Sequence, residues 1–207
     1  MASLFFIGDT DGNSVTATAQ YNSDSSWAPA SRLVDGYGMV NLTAGKVTKS
    51  STTDLAANYT STWAEPASTS IPGWLLFTFD KNTSLNEMVI WNDPFPSYPG
   101  GHGRDMKAVT ITYSTGSDTS GTGGGTLFSG NLAQATTYGY SDDFNFSGVN
   151  NVKAVKMAYT SNYGGDYVIL SEVRFAGALT AVPEPSSLLT LGCLVGAGTF
   201  MRIRRKD

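Results

Sequence analysis

The sequence is poor in the residues that carry most protein chemistry. Its 207 residues include one cysteine, one histidine and only 14% charged side chains, against about 25% in ordinary globular chains. A single Cys193 excludes an intramolecular disulfide, and leaves no thiol nucleophile or cysteine-based metal site outside the C-terminal tail. A single His102 excludes a His-Glu-x-x-His zinc site, and neither a P-loop nor a Gly-x-Ser-x-Gly elbow is present. Charged helix formers (Glu, Lys, Arg) are too few for a helical bundle or coiled coil. A net charge of −4 and a pI near 4.9 exclude a basic nucleic-acid-binding surface.

What is present is neutral and polar. There are 23 Gly, 23 Ser, 24 Thr and 12 Asn, so most of the surface is wetted without charge. Twenty-four aromatics and many β-branched residues supply a core, which argues against disorder. From Val15 to Gly177, short β-rich runs alternate with turn formers. Val15–Ala19 and Val109–Tyr113 alternate at period two, the mark of strands with one buried and one wet face. Trp74–Phe79 and Leu85–Trp91 read as strands on either side of a turn at Asp80–Ser84. Thr126–Phe128, Val152–Tyr159 and Val168–Phe175 complete the set. No segment shows three turns of amphipathic helix, and Gly38–Ser70 reads as a long, weakly patterned insertion. The fold class predicted is all-β, two antiparallel sheets stacked face to face, because one open sheet would leave its apolar face wet. The chain divides into an N-terminal segment (1–14), a β-sandwich (15–177) and a tail (178–207).

The tail is a three-part signal. Val182-Pro183-Glu184-Pro185 is stiff and extended, since each proline fixes φ and restricts its predecessor. Leu188–Met201 is an apolar run of 14 residues, about 21 Å as a helix and short of the roughly 30 Å bilayer core. Arg202, Arg204, Arg205 and Lys206 then form a positive stop, which would stay cytoplasmic while the acidic body lies outside. Together these residues resemble the PEP-CTERM sorting tail. That resemblance implies an exported protein of a Gram-negative-type bacterium with an exopolysaccharide or biofilm system. It also implies processing by an exosortase near Pro183-Glu184-Pro185, after transient insertion in the inner membrane. Met1–Ile7 has no basic residue, and only Leu4–Ile7 form a contiguous run of large apolar residues before Gly8-Asp9, so the expected export signal is placed upstream of Met1.

The body carries a second resemblance. Ala30-Ser-Arg-Leu-Val-Asp35-Gly36, Trp63, Trp74–Asp80, Met88-Val-Ile-Trp91-Asn92, Gly103–Ser114, Val155–Gly165 and Leu170–Phe175 follow one another in order. In that order they resemble the galactose-binding-like jelly roll of discoidin domains (coagulation-factor type C) and related carbohydrate-binding modules. About 26 residues between Gly36 and Trp63 depart from the family's shorter loop. The resemblance implies non-catalytic sugar binding through rim loops, and a structural Ca²⁺ near the Asp-Gly loop and the last strand's Glu, here Asp35 and Glu172. Six to eight oxygens are needed for that ion, so carbonyls and hydroxyls would have to complete the shell.

Two loops hold the residue types that sugars require, aromatic rings for C–H faces and polar groups for hydroxyls. One is Trp91–Arg104, with Trp91, Asn92, Tyr98, His102 and Arg104; the other is Ser161–Tyr167, with Asn162 and Tyr163. Competing readings stand beside these. Trp91 ends an apolar strand and suits a core, Arg104 suits a loop-holding role, and His102 suits plain solvent exposure. Tyr98 and Tyr163 lie outside strand patterns and are the preferred stacking rings. Two alternatives to glycan binding remain at this point: a structural matrix protein, and a hydrolase using His102 or a carboxylate pair.

Overall fold

A computed structural model describes residues 6–8, 12–21, 29–49, 51–53, 62–92, 103–135 and 140–179. Ten strands are seen: β1 (Val15–Ala19), β2 (Met39–Val40), β3 (Thr52–Thr53), β4 (Trp63–Pro66), β5 (Gly73–Trp91), β6 (Ala108–Thr115), β7 (Gly125–Asn131), β8 (Ser141–Tyr159), β9 (Tyr167–Leu170) and β10 (Glu172–Leu179). The described helical pieces are a 3-10 turn at Ala30–Leu33 and a single α-turn at Ala67–Ser70.

Two 19-residue strands, β5 and β8, organise the molecule. Their antiparallel register is broken by bulges between Thr78 and Glu87. Bulges bend and twist a strand pair, so each strand serves two layers. The first half of β5 and the second half of β8 join β1, β6 and β7 in the order β1-β5-β8-β6-β7. The other halves join β10, which pairs with Trp91 back to Thr83. Asp80–Ser84 is therefore not a hairpin turn but the bent middle of one strand. Distant partners hold that bend. Asn13 accepts the Lys81 N–H at 2.7 Å and donates to its carbonyl at 3.0 Å. Lys153 Nζ donates to the Asp80 carbonyl at 2.7 Å, and the Thr83 hydroxyl donates to the Ala178 carbonyl at 2.7 Å.

The main core lies between the layers. Leu75, Phe77 and Phe79 point inward from β5, as alternation requires. Phe175 of β10 meets Phe77 and Phe79 edge to face, with centroids 5.3 and 5.2 Å apart. Burying such side chains stabilises the fold by about 1.5–3 kcal/mol each.

A second, smaller core covers the outer face of the β10 layer. Val89, Trp91 and Ala176 pack there under Phe6, Met39 and Val47. The long insertion after Gly36 thus contributes a lid over this sheet face. Lys49 reinforces it by pairing with Glu87, and with Asp143 at 3.7 Å. Further along, β4 pairs with β9 through Trp63↔Leu170 to Pro66↔Tyr167.

Candidate functional site

Segments 103–107, 131–135, 140–142 and 161–167 gather at one end of the sandwich. Their backbones are stitched together: Lys107 N–H donates to Ser161 O at 2.9 Å, and Leu132 N–H to Lys107 O at 2.8 Å. Tyr163 and Gly165 N–H groups both donate to Gly103 O, at 2.9 and 3.0 Å. Gly103 has φ +98°, and a Cβ there would fall 2.7 Å from the Tyr163 carbonyl oxygen, so this crossing requires glycine.

Asn92 fastens this end to β5. Its side-chain oxygen accepts the Met106 N–H at 3.2 Å, while Nδ2 donates to the Met106 and Ala133 carbonyls at 3.2 Å each. With 2% exposure and those bonds made, Asn92 positions the loops rather than meeting a ligand. Trp91 is likewise corrected. Fully buried, it donates from Nε1 to the Ser51 carbonyl at 3.1 Å and meets Phe6 edge to face. An apolar ring on this outer sheet face is worth more covered than wet, and the insertion and Phe6 cover it.

Arg104 is also buried, at 5% exposure, and a Cβ on Gly165 would meet its Cγ at 2.8 Å. Asn162 uses its amide locally: Oδ1 accepts Gly164 N–H at 2.9 Å, and Nδ2 donates to the Gly165 and Tyr167 carbonyls at 2.7 and 2.8 Å. Such closure shapes the loop that presents Tyr163. Tyr98 and His102 lie outside the described residues, as does the tail from residue 180 on, with Pro183, Glu184 and Pro185; residues 178 and 179, assigned to the tail from sequence, instead end β10.

Tyr163 is the sequence-predicted residue that faces outward here. Half-buried, it donates its hydroxyl to the Leu132 carbonyl at 2.6 Å. Lys107 Nζ sits 5.0 Å from its ring centroid, within cation–π range. Nearby, Tyr140 donates to Asp142 Oδ1 at 3.3 Å, and Asp142 Oδ2 accepts Ala133 N–H at 2.9 Å. Burial is the largest influence on both tyrosines and raises each phenol, with nearby carboxylates adding to it. Both therefore keep their protons at neutral pH. Lys107, Tyr140 and Asp142 escaped the sequence reading. Tyr138-Gly-Tyr140-Ser-Asp142-Asp143, aromatic and acidic between two strands, was the signal available.

Asp35 and Glu172 do come together. Gly36 N–H donates to Glu172 Oε1 at 3.2 Å, and Arg174 Nε lies 2.6 Å from the same oxygen. Burial above all raises the Glu172 carboxyl, Arg174 opposes the rise and Asp35 adds to it, and together they leave it at about 8. Asp35 is committed elsewhere: Oδ2 pairs with Arg32 at 3.0 Å and Oδ1 accepts Tyr37 N–H at 2.8 Å. Among the described residues, no three His, Cys, Asp or Glu side chains group as metal ligands. Glu172 Oε2 is buried without a hydrogen-bond donor, one free oxygen where calcium takes six to eight. As arranged, these side chains do not fit a calcium ion.

No family model matches the sequence, and no curated protein matches it. Solved structures do. The F5/8 type C domain of a Bacteroides fragilis protein superposes with a TM-score of 0.53 at 13% identity, over 81% of this chain and 93% of that one. A pectin-binding carbohydrate-binding module gives 0.50 at 17% identity, covering 88% and 96%. Chitosan-binding module 1 of a chitosanase/glucanase from Paenibacillus sp. IK-5 gives 0.50 at 20%, covering 78% and 94%. These likenesses and the two-layer antiparallel topology establish the fold: the body is a galactose-binding-like β-sandwich, built like F5/8 type C domains.

Proposed function

We propose that the sandwich is a non-catalytic carbohydrate-binding module, carried by an exported surface or matrix protein. One observation carries the binding half: four loop segments converge on a half-buried Tyr163 whose hydroxyl is anchored and whose ring carries Lys107. A fixed aromatic ring beside hydrogen-bonding groups meets the apolar face and hydroxyls of a sugar at small entropic cost. The neighbours that bind pectin and chitosan support this reading. Weak single-site affinity would be raised by avidity in a polymer matrix.

Titration calorimetry with an oligosaccharide drawn from a glycan array tests the assignment. Tyr163→Ala is expected to weaken binding about tenfold, the worth of one aromatic contact. Tyr163→Phe, which keeps the ring and loses the Leu132 bond, is expected to stay within about threefold. Equal binding by wild type and Tyr163→Ala would move the site away from this rim.

The export half rests on the tail. Pro183-Glu184-Pro185, the apolar run and the basic end support sorting by an exosortase in the envelope of a Gram-negative-type bacterium. In such a host, the full chain is expected to be shortened near this motif. Substituting Pro183, Glu184 and Pro185 by alanine should leave it at full length in the membrane fraction. Normal processing of that triple variant would refute the sorting role.

A further inference from the structure

The Asp35–Gly36 loop and Glu172 meet where the resemblance implies a calcium ion, yet the charges found there are already matched. Glu172 is wholly buried on the outer face of the β10 layer. Arg174, two residues on, shares that face, and only 11% of its side chain is exposed. Its Nη2 would lie 3.1 Å from a Cβ on Gly36, a residue at φ +72°. The guanidinium therefore passes directly beneath the Asp-Gly turn, and the glycine makes room for it.

We propose that the Arg174 guanidinium is the cation that ties the Asp35–Gly36 loop to the last strand, so that the sandwich needs no calcium at this place. The local charge count supports it. Asp35 is paired with Arg32 and Glu172 with Arg174, while Lys46 lines the same cavity of about 340 Å³ with Asp35 and Arg174. A divalent ion added to this set would bring two uncompensated charges into a partly buried space, which is costly. It would also face the Gly36 N–H and a guanidinium, groups that donate rather than ligate. A resident guanidinium, unlike a metal, is present whatever the ionic composition outside the cell.

Thermal unfolding of the full chain, in excess chelator and in millimolar calcium chloride, decides the matter. The two midpoints are expected to agree within about 1 °C. A calcium-dependent rise of roughly 5 °C or more, the size expected of a saturated structural site, would overturn the proposal. Arg174→Met keeps the stem and drops the charge, leaving Glu172 buried and unmatched. It is expected to lower the midpoint by roughly 10 °C, with most of the loss restored in Glu172→Gln/Arg174→Met. An unchanged midpoint in Arg174→Met would also overturn it. Should that variant fail to fold, the calcium comparison on the wild type still gives the answer.

Discussion

At Asp142 opposed forces act on one carboxyl: burial raises its pKa, while the Ala133 N–H and the Tyr140 hydroxyl lower it. Burial wins, and the folded-state value stands above the ordinary 3.8. A carboxyl raised on folding contributes its stability below the unfolded pKa and loses it as pH rises through the folded one. Asp142→Asn keeps an oxygen for the Ala133 N–H and removes the ionisation. Relative to this variant, wild type should lose stability as pH climbs from about 4 through the raised value, and hold steady above it. Denaturant midpoints measured against pH check this; a wild type that gains on the variant in that window contradicts it. The same scale shows what could be read beforehand. Tyr163 stands out in the sequence because it lies outside any strand pattern. The clamp made by Asn92 does not, since Met106 and Ala133 reach it only through the fold.

Among the elements, alternation placed Val15–Ala19, Val109–Tyr113 and Val152–Tyr159 correctly, because each has one buried face. The Asp80–Ser84 segment misled for a physical reason. Its polar residues resemble a turn, but they sit at the bend of a continuous strand held by Asn13, Lys153 and Ala178 from elsewhere in the chain. Likewise, β8 begins at Ser141, ahead of the strand read at Val152–Tyr159, because pairing with β5 draws Ser141–Asn151 into the sheet. The insertion after Gly36 is polar by count, yet its Met39 and Val47 join Phe6 in covering Trp91. Since Phe175 joins the layers through both Phe77 and Phe79, Phe175→Ala should cost about 3–5 kcal/mol. Chemical denaturation reads this directly, and a loss below about 1 kcal/mol would mean the layers are not joined there.

On the scale of the whole molecule, fold and function separate. Two bent strands shared between sheets give the sandwich its shape; alternation points to stacked antiparallel sheets but not to strands shared between them. The candidate rim is assembled from segments distant in sequence, so only the fold brings Lys107, Tyr140, Asp142 and Tyr163 to one place. Affinity electrophoresis of the purified chain through gels carrying pectin, chitosan or galactan tests the central claim most directly. At least one polymer should retard wild type, with the retardation lost in Tyr163→Ala and the polymer's length unchanged afterwards. Equal mobility in every gel, or a polymer shortened by the protein, would contradict a module that binds sugar without transforming it.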